Sequence, residues 1–592
     1  MCACVWLSSR DMWKPLYLVG AAVLGVRVAD ARLNLTAGVG TKYEASGLTD
    51  KQLAGLNFFR YLLKGHHDFD TGASAAAHAA SNYPWPAPWT VLHSQAGLGS
   101  LRYQVAFSAY AAVELAARHT PAFPGLVSDI LRDAFARLVH PEVWSFWDTP
   151  GACGWPWSGL CKKNGLSMCE LNPELKKSAW CPDPVHYQNV MYSGHLAHVG
   201  ALYEAFSGDR SLSTTGWAFD GPPNKRRGVG PVEYTLPDLF DAIHSQSSWS
   251  KSGGFACEPT LVYLVCNQHT FTAARLYDAM TSKSTNYSSE KRKWLHYLNA
   301  TGVRRKPKGP LGEGFFEILY QEQLREIGMP WVEVADVGGC AGNDGWAGMA
   351  LGFWAADDEV DGGADLLRRV RASLAGNEAW TADSASGGAY VKQTHWPYET
   401  QGYTTEIATS WAPVALGGWT GLYAQRVADA FAYMEHTFGT AIDTDKDGVS
   451  DAWYYHTNLI NGTHNEQGWA TANLFAGMAR DDRVVTSIYD GELAKRTLSQ
   501  PHLVSVAPGA PAVLVRRAVF DLDGSNGVDG STGGTLKLTL RASGTKTVKE
   551  AKLTLAVPEG WQRKSHGPGP FTIDVDVSAV TDVVVDLPFV KL

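Results

Sequence analysis

LRYQVAFSAYAAVELAA, residues 101–117, carries an apolar or small residue at almost every position, with polar groups only at Arg102, Gln104, Ser108 and Glu114. Its Ala and Leu content favours a helix, and a helix apolar nearly all round belongs inside a fold rather than on its surface. The next segment, Leu126–Val139, is amphipathic and reads as an outer helix. The same alternation continues along the chain: 187–206, 236–243, 259–280, 312–327, 345–355, 364–374, 404–416, 426–438 and 468–478 read as helices, with Asp50–Leu63 before them and no strands between. Inner apolar and outer amphipathic helices in series predict a mainly α architecture, an α/α toroid of helical hairpins. The hairpins have no fixed sequence period, so a solenoid is not expected.

From about residue 490 the texture changes. Val513–Val515, Thr535–Leu540, Ala551–Val557, Phe571–Val577 and Val583–Leu587 read as strands, most alternating with period two between Gly, Ser, Asn and Pro clusters. They predict a small C-terminal β-sandwich over 491–592, after a toroid over 32–490. The first 31 residues have the form of a signal peptide: Arg10 and Lys14 precede the apolar run Leu16–Val26, and Ala29-Asp30-Ala31 offers a cleavage site. Sequons at Asn34, Asn286, Asn299 and Asn461 agree with a secreted glycoprotein. The net charge of −8 over 592 residues argues against a phosphate-binding or nucleic-acid surface, and the basic run RRKPKGP (304–310) is short and broken by Pro307. Twenty-two Trp residues call for an aromatic core or a concave wall.

The stretch GGFACEPTLVYLVCNQHTFTAARLYD (253–278) holds the chemistry. With Pro259 opening a helix, Cys257 lies just before it and Cys266 two turns inside. About seven steps of roughly 1.5 Å put their Cα atoms on the order of 10 Å apart. That exceeds the roughly 4.4–6.8 Å of a disulfide, so the two thiols are expected to face a shared space. A helix N-terminus lowers the pKa of a thiol, Glu258 adjoins Cys257, and Asn267 and Gln268 add amides on the same helix. Cys153, Cys161, Cys169 and Cys181 crowd a Gly/Pro/Trp-rich stretch and are expected to pair; their spacing lacks a zinc knuckle. Read alone, Cys257 and Cys266 are as well explained as small buried residues, and His195 as a hydrogen-bonded core histidine.

CEPTLVYLVCNQ (257–268) resembles the cysteine motif of the linalool dehydratase/isomerase family. MYSGHLAHVGALY (191–203) is similar to that family's histidine segment, and LRYQVAFSAYA (101–111) to its Tyr-bearing helix, in the same order. The resemblance spans about 50–490. It implies an α/α toroid and a cofactor-independent hydro-lyase or isomerase acting on a hydrophobic, isoprenoid-like alcohol. It also implies a site able to borrow residues from a neighbouring subunit, hence a homo-oligomer. Carried over residue by residue, Tyr103 and His195 would position and protonate the hydroxyl. Cys257 and Cys266 would exchange protons or act as nucleophile, with Glu258 tuning Cys257, and Tyr192, Asn267 and Trp346 would line the substrate. The family's catalytic aspartate has no counterpart before Tyr103, since His93–Ser100 holds no acid; Asp336 and Asp344 are the candidates elsewhere.

A second motif is DTDKDGVSD (443–451): acids at positions 1, 3, 5 and 9 with Gly at 6 match the front of a calcium loop, although Tyr454 replaces the closing Glu. Asp443, Asp445, Asp447, Val449 (through its carbonyl) and Asp451 are the candidate ligands of a structural ion. Two competing readings stand beside the lyase. A polysaccharide lyase or glycosidase on a toroid would need a carboxylate pair or a Tyr/His pair in an open cleft. A non-catalytic, calcium-stabilised binding protein would need neither.

Overall fold

A computed structural model of the chain describes residues 47–64, 94–144, 183–185, 189–221, 230–247, 253–256, 261–281, 284–285, 287–300, 319–321, 371, 374–376, 380–391, 405–417, 422–444, 448, 450–458, 464–465, 468–507, 513–522, 533–542, 547–563, 569–578 and 581–591. The principal helices are α1 (Asp50–Leu63), α2 (Ser94–His119), α3 (Gly125–Leu138), α4 (Val190–Ser207), α5 (Leu236–Ser247), α6 (Leu264–Met280), α7 (Tyr287–Ala300), α8 (Thr405–Leu416), α9 (Leu422–Phe438), α10 (Gly468–Ala479), α11 (Asp482–Tyr489) and α12 (Glu492–Ser499). α1 starts where the sequence marks it. The Thr49 hydroxyl accepts from the backbone N–H of Gln52 at 3.2 Å and the Gln52 side-chain Oε1 accepts from Thr49 N–H at 2.9 Å, a reciprocal cap.

The expected division into inner and outer helices holds over the described residues. Every residue of α4 from Val190 to Leu202 is buried, as is α10 from Gly468 to Ala476. α3 buries one stripe only, Leu126, Val127, Ile130, Leu131, Ala134, Phe135 and Leu138. α2 packs on α10 and α3, α4 on α6, α3 and α5, and α10 on α8, which packs in turn on α9. α4 and α6 approach closely at Gly194 of α4. A Cβ there would lie 2.5 Å from the Thr270 hydroxyl of α6, so the lack of a side chain is what lets these two helices meet. α4 ends at Gly208, whose φ of +74° is a left-handed cap that glycine adopts without strain.

Two expectations need correction here. The helix expected from Pro259 begins at Leu264, because Leu261–Tyr263 is extended and pairs antiparallel with Leu319–Gln321, inside the helix expected at 312–327. Cys266 therefore sits in the first turn of α6 rather than two turns in. The cause is long-range: three residues gain backbone partners from a segment about sixty positions away, which local periodicity cannot register. Strands do also occur between the helices, as short antiparallel pairs at 217–219/232–234, 380–383/388–391 and 439–442/452–455. They are too short to show a period of two.

The C-terminal region is two antiparallel sheets built from β1 (His502–Ala507), β2 (Val513–Leu522), β3 (Gly533–Ala542), β4 (Val548–Ala556), β5 (Trp561–Arg563), β6 (Phe571–Val577) and β7 (Val583–Lys591). Their orders are β1-β4-β6 and β2-β3-β7-β5. Alternate residues, Leu536, Leu538 and Leu540 on β3 and Ala551, Leu553 and Leu555 on β4, are buried in one core. The sheets are tied to the helices through backbone bonds from Leu503 N–H to Ala122 O (2.9 Å), Ala122 N–H to Ala518 O (3.0 Å) and Leu48 N–H to Arg516 O (2.7 Å). Trp561 is buried edge-on against Phe520, so it offers no exposed face to a sugar.

No helix among the described residues is long and apolar enough to cross a membrane. The signal-like segment, Asn34, Asn286, Asn461, the four clustered cysteines and the expected helix at 345–355 lie outside the described residues, as does 364–374 except for helical Arg371 and Leu374; Asn299 lies near the end of α7. Replacing Gly194 by Ala must displace the Thr270 hydroxyl from its bond to the Cys266 carbonyl or move α4 from α6. The expected cost is about 1–3 kcal/mol, typical of overpacking, read as a lower urea midpoint with an unchanged slope.

Candidate active site

α2, α4 and α6 each place polar rings on the face they turn to one another. On α2, Tyr103, Phe107, Tyr110 and Glu114 follow each other at steps of four, three and four, which aligns them along one side of the helix. α4 contributes His195 and His198, and α6 contributes His269. The ring centroids lie close together: 4.2 Å for His195–His269, 5.3 Å for His195–Tyr103, 4.1 Å for His198–Tyr110 and 5.2 Å for His269–Tyr110. Trp469 of α10 lies 4.8 Å from Tyr103 and 5.6 Å from Phe107, and Trp411 of α8 lies 5.9 Å from Phe107. Imidazoles and a phenol are thus set in an aromatic wall drawn from five helices.

Hydrogen bonds fix the rings. Tyr110 Oη and His195 Nδ1 are 2.8 Å apart, and Tyr489 Oη of α11 and His198 Nε2 are 2.9 Å apart. The Arg102 guanidinium donates to Tyr103 Oη at 3.2 Å and to the Met191 carbonyl at 3.2 Å, and lies over the Tyr103 ring. His195 is only 1% exposed, yet its Nε2 has no partner among the described residues. Both amide atoms of Gln268, fully buried beside His269 in the sequence, are in the same condition. A buried polar atom without a partner carries a desolvation cost, and such atoms concentrate where a ligand or water completes the bonding.

Burial sets the protonation states. It pushes His195 well below the usual histidine range, helped by the neighbouring His269, Arg102 and His198, and does the same to His198, helped by His269. His269 is lowered to about 3 by burial alone. Tyr110 and Tyr489 are raised well above the usual tyrosine value, again by burial first, so both keep their hydroxyl hydrogens. Glu114 is raised to about 7 by burial, against the pull of Arg480, whose Nη1 lies 3.3 Å from its carboxylate.

The residues singled out in the sequence divide into three groups. Tyr103 and His195 lie side by side, their ring centroids 5.3 Å apart. Tyr192 and Asn267 do not join them: Tyr192 donates its hydroxyl to the Leu138 carbonyl at 2.7 Å, and Asn267 is bound to the backbone of Phe255 on both sides (2.6 and 3.0 Å). Each of these bonds ties its side chain to the backbone of another segment. Cys257, Glu258, Trp346, Asp336 and Asp344 lie outside the described residues. Cys266 is 5% exposed, in the first turn of α6.

Sequence reasoning passed over Tyr110, His269, Trp411 and Trp469. His269 directly follows the quoted cysteine motif. Tyr110 stands seven residues after Tyr103, a helical spacing that could have flagged it.

In the acidic loop, Asp443 Oδ2 accepts from Gly448 N–H at 2.8 Å, as the first position of a calcium loop does towards its sixth-residue glycine. Both carboxylate oxygens of Asp451 accept from Thr444, at 2.8 and 2.6 Å. Asp445, Asp447 and Val449 lie outside the described residues. Among the described residues no group of three or more His, Cys, Asp or Glu side chains is arranged to hold a metal ion.

Buried neutral imidazoles, two tyrosines and an aromatic wall lie on packed inner helices, and the fold defines the class: a mainly α-helical protein with small antiparallel sheets. More particularly, residues 102–323 match the family model described as linalool dehydratase/isomerase. The match covers Tyr103, Tyr110, His195 and His269; Trp411, Trp469 and Tyr489 lie beyond it.

These shifts fix a pH dependence. A histidine held neutral in the folded state takes up no proton while the unfolded chain does, so its stabilisation is present above about pH 6.5 and is lost as pH falls. Each of the three is expected to remove about 1.5 kcal/mol between pH 6.5 and pH 5. Glu114 acts oppositely: its raised pKa favours the folded state at acid pH, and that contribution is lost as pH rises through 7. Chemical denaturation should therefore show stability falling below pH 6.5, and Glu114→Gln should make that fall steeper.

Proposed function

We propose that the protein is a hydro-lyase or isomerase that removes or moves the hydroxyl of a small hydrophobic alcohol, using its own side chains without a redox or metal cofactor. The family match supports the reaction class, and one observation carries the assignment to this place: the unpartnered Nε2 of His195, buried beside the Tyr103 ring and the Trp469–Phe107 wall. In this reading the α-helices close into an α/α toroid around that point, and the C-terminal sheets form a sandwich that braces it.

Nε2 of His195 and the Tyr103 hydroxyl bracket the substrate oxygen. The C–O bond breaks with its electron pair on oxygen, which takes a proton from one of these two groups and leaves as water; the proton released in the second transfer restores that group. The carbon left behind carries positive charge, and neighbouring aromatic faces favour it electrostatically. A second group then takes a proton from the adjacent carbon to leave an alkene, or water returns at the other end of an allylic system to give the isomer. Cys257, with Glu258 beside it in sequence, is proposed for that second transfer. A polysaccharide lyase would also use a Tyr/His pair, but in an open cleft; at 1% exposure His195 suits a small apolar substrate better.

His195→Gln should lower kcat/KM for dehydration of a tertiary allylic alcohol by about 100-fold or more, the scale of general acid–base catalysis, while the melting temperature shows the protein still folded. Alkene release measured in the headspace reads this directly, and wild-type rates in the variant would refute the assignment. We further propose that the 443–451 loop binds a structural calcium ion, on the evidence of the Asp443–Gly448 contact. Calcium should then raise the melting temperature and EDTA lower it; a melt indifferent to both would remove the ion from the account.

A further inference from the structure

The reading of His195 as the group that meets the substrate hydroxyl leaves open what holds its ring in place. Three elements surround it. α2 brings Arg102, Tyr103, Phe107 and Tyr110, α4 brings His198 one turn on, and α6 brings His269. Of these side chains, the one bonded to the ring nitrogens is Tyr110, whose Oη lies 2.8 Å from Nδ1.

Resting on the functional reading above, we infer that Tyr110 is a positioning residue that donates its hydroxyl hydrogen to His195 Nδ1 and thereby fixes the tautomer that carries its hydrogen on Nε2. The argument is chemical. A phenol is a stronger hydrogen-bond donor than a neutral imidazole N–H, and an imidazole nitrogen is a stronger acceptor than a phenol oxygen, so a neutral pair shares its hydrogen in this sense. Both partners are neutral here: burial keeps the Tyr110 hydroxyl protonated and the imidazole uncharged. The ring's single hydrogen is then left on Nε2, the atom with no partner among the described residues. His195 so presents a neutral N–H donor, and the bond made by one ring nitrogen determines what the other can do.

The second couple in the core supplies a control. Tyr489 and His198 repeat the contact at 2.9 Å through the other ring nitrogen, Nε2. This couple belongs to the packing of α11 on the core.

The test compares wild type, Tyr110→Phe, His195→Gln, the double variant and Tyr489→Phe on one tertiary allylic alcohol. Tyr110→Phe keeps the ring and removes only the donor. It should lower kcat by about tenfold or more with little change in KM, the pattern of a lost transition-state contribution. In the His195→Gln background the same change should do nothing further, because its effect passes through His195. Tyr489→Phe should lower the melting temperature and change kcat less than Tyr110→Phe does. Wild-type kcat in Tyr110→Phe, or an equal fractional loss in both backgrounds, would overturn the inference.

Should His195→Gln itself prove fully active, the functional reading fails, and the tautomer is decided without activity. In protein labelled with [15N]histidine, the signal that disappears in His195→Gln must show a protonated Nε2 and an unprotonated Nδ1, and must shift in Tyr110→Phe. The opposite tautomer sinks the inference.

Discussion

Three imidazole rings, His195, His198 and His269, are buried in the apolar centre of the helical core, and much of the structure exists to make that tolerable. A buried polar group without a partner costs on the order of 1–3 kcal/mol. The fold meets the cost by bonding His195 to Tyr110 and His198 to Tyr489, and by making the rings neutral. Neutrality is a consequence of the same burial, since a charge at that depth would be far more expensive than a dipole. The chemistry available to the site follows: it has hydrogen-bond donors and acceptors at neutral pH, in surroundings where their interactions are not weakened by water.

Bringing the rings together requires the helices to approach closely, and the chain meets this with a missing side chain. Gly194, adjacent to His195, lets α4 lie against Thr270 of α6, one residue from His269. Local sequence and packing meet at one place: the glycine at the helix–helix contact directly precedes His195, whose ring lies 4.2 Å from that of His269.

The far side of the core is held by charge. Arg480 pairs with Glu114 and Asp482, Arg371 with Asp482, Arg118 with Asp481 and Arg275 with Asp490. These pairs fasten α11 and its flanking residues to α2 and α6. Because Arg480 and Arg371 are almost completely buried, their partners are structural necessities: removing one acid would leave a guanidinium uncompensated inside the protein. The same segment carries Tyr489 and follows directly on the helix with Trp469. Residues far beyond the family-matched segment therefore complete the surroundings of a histidine within it.

The sequence by itself determined the helical class, the alternation of buried and amphipathic helices, and the change to strands in the C-terminal region. These rest on periodicity and local composition, which act within a few turns. It misjudged whatever depended on contacts between distant segments. Leu261–Tyr263 is extended because Leu319–Gln321 pairs with it, the Tyr192 hydroxyl bonds to a carbonyl on α3, and the Asn267 amide bonds to the backbone of Phe255. His269, Trp411 and Trp469 were invisible as a group because nothing in their spacing joins them. Only tertiary structure decided which polar atoms found partners and which, like Nε2 of His195, were left without one, because that depends on how neighbouring helices satisfy the hydrogen bonds of each buried side chain.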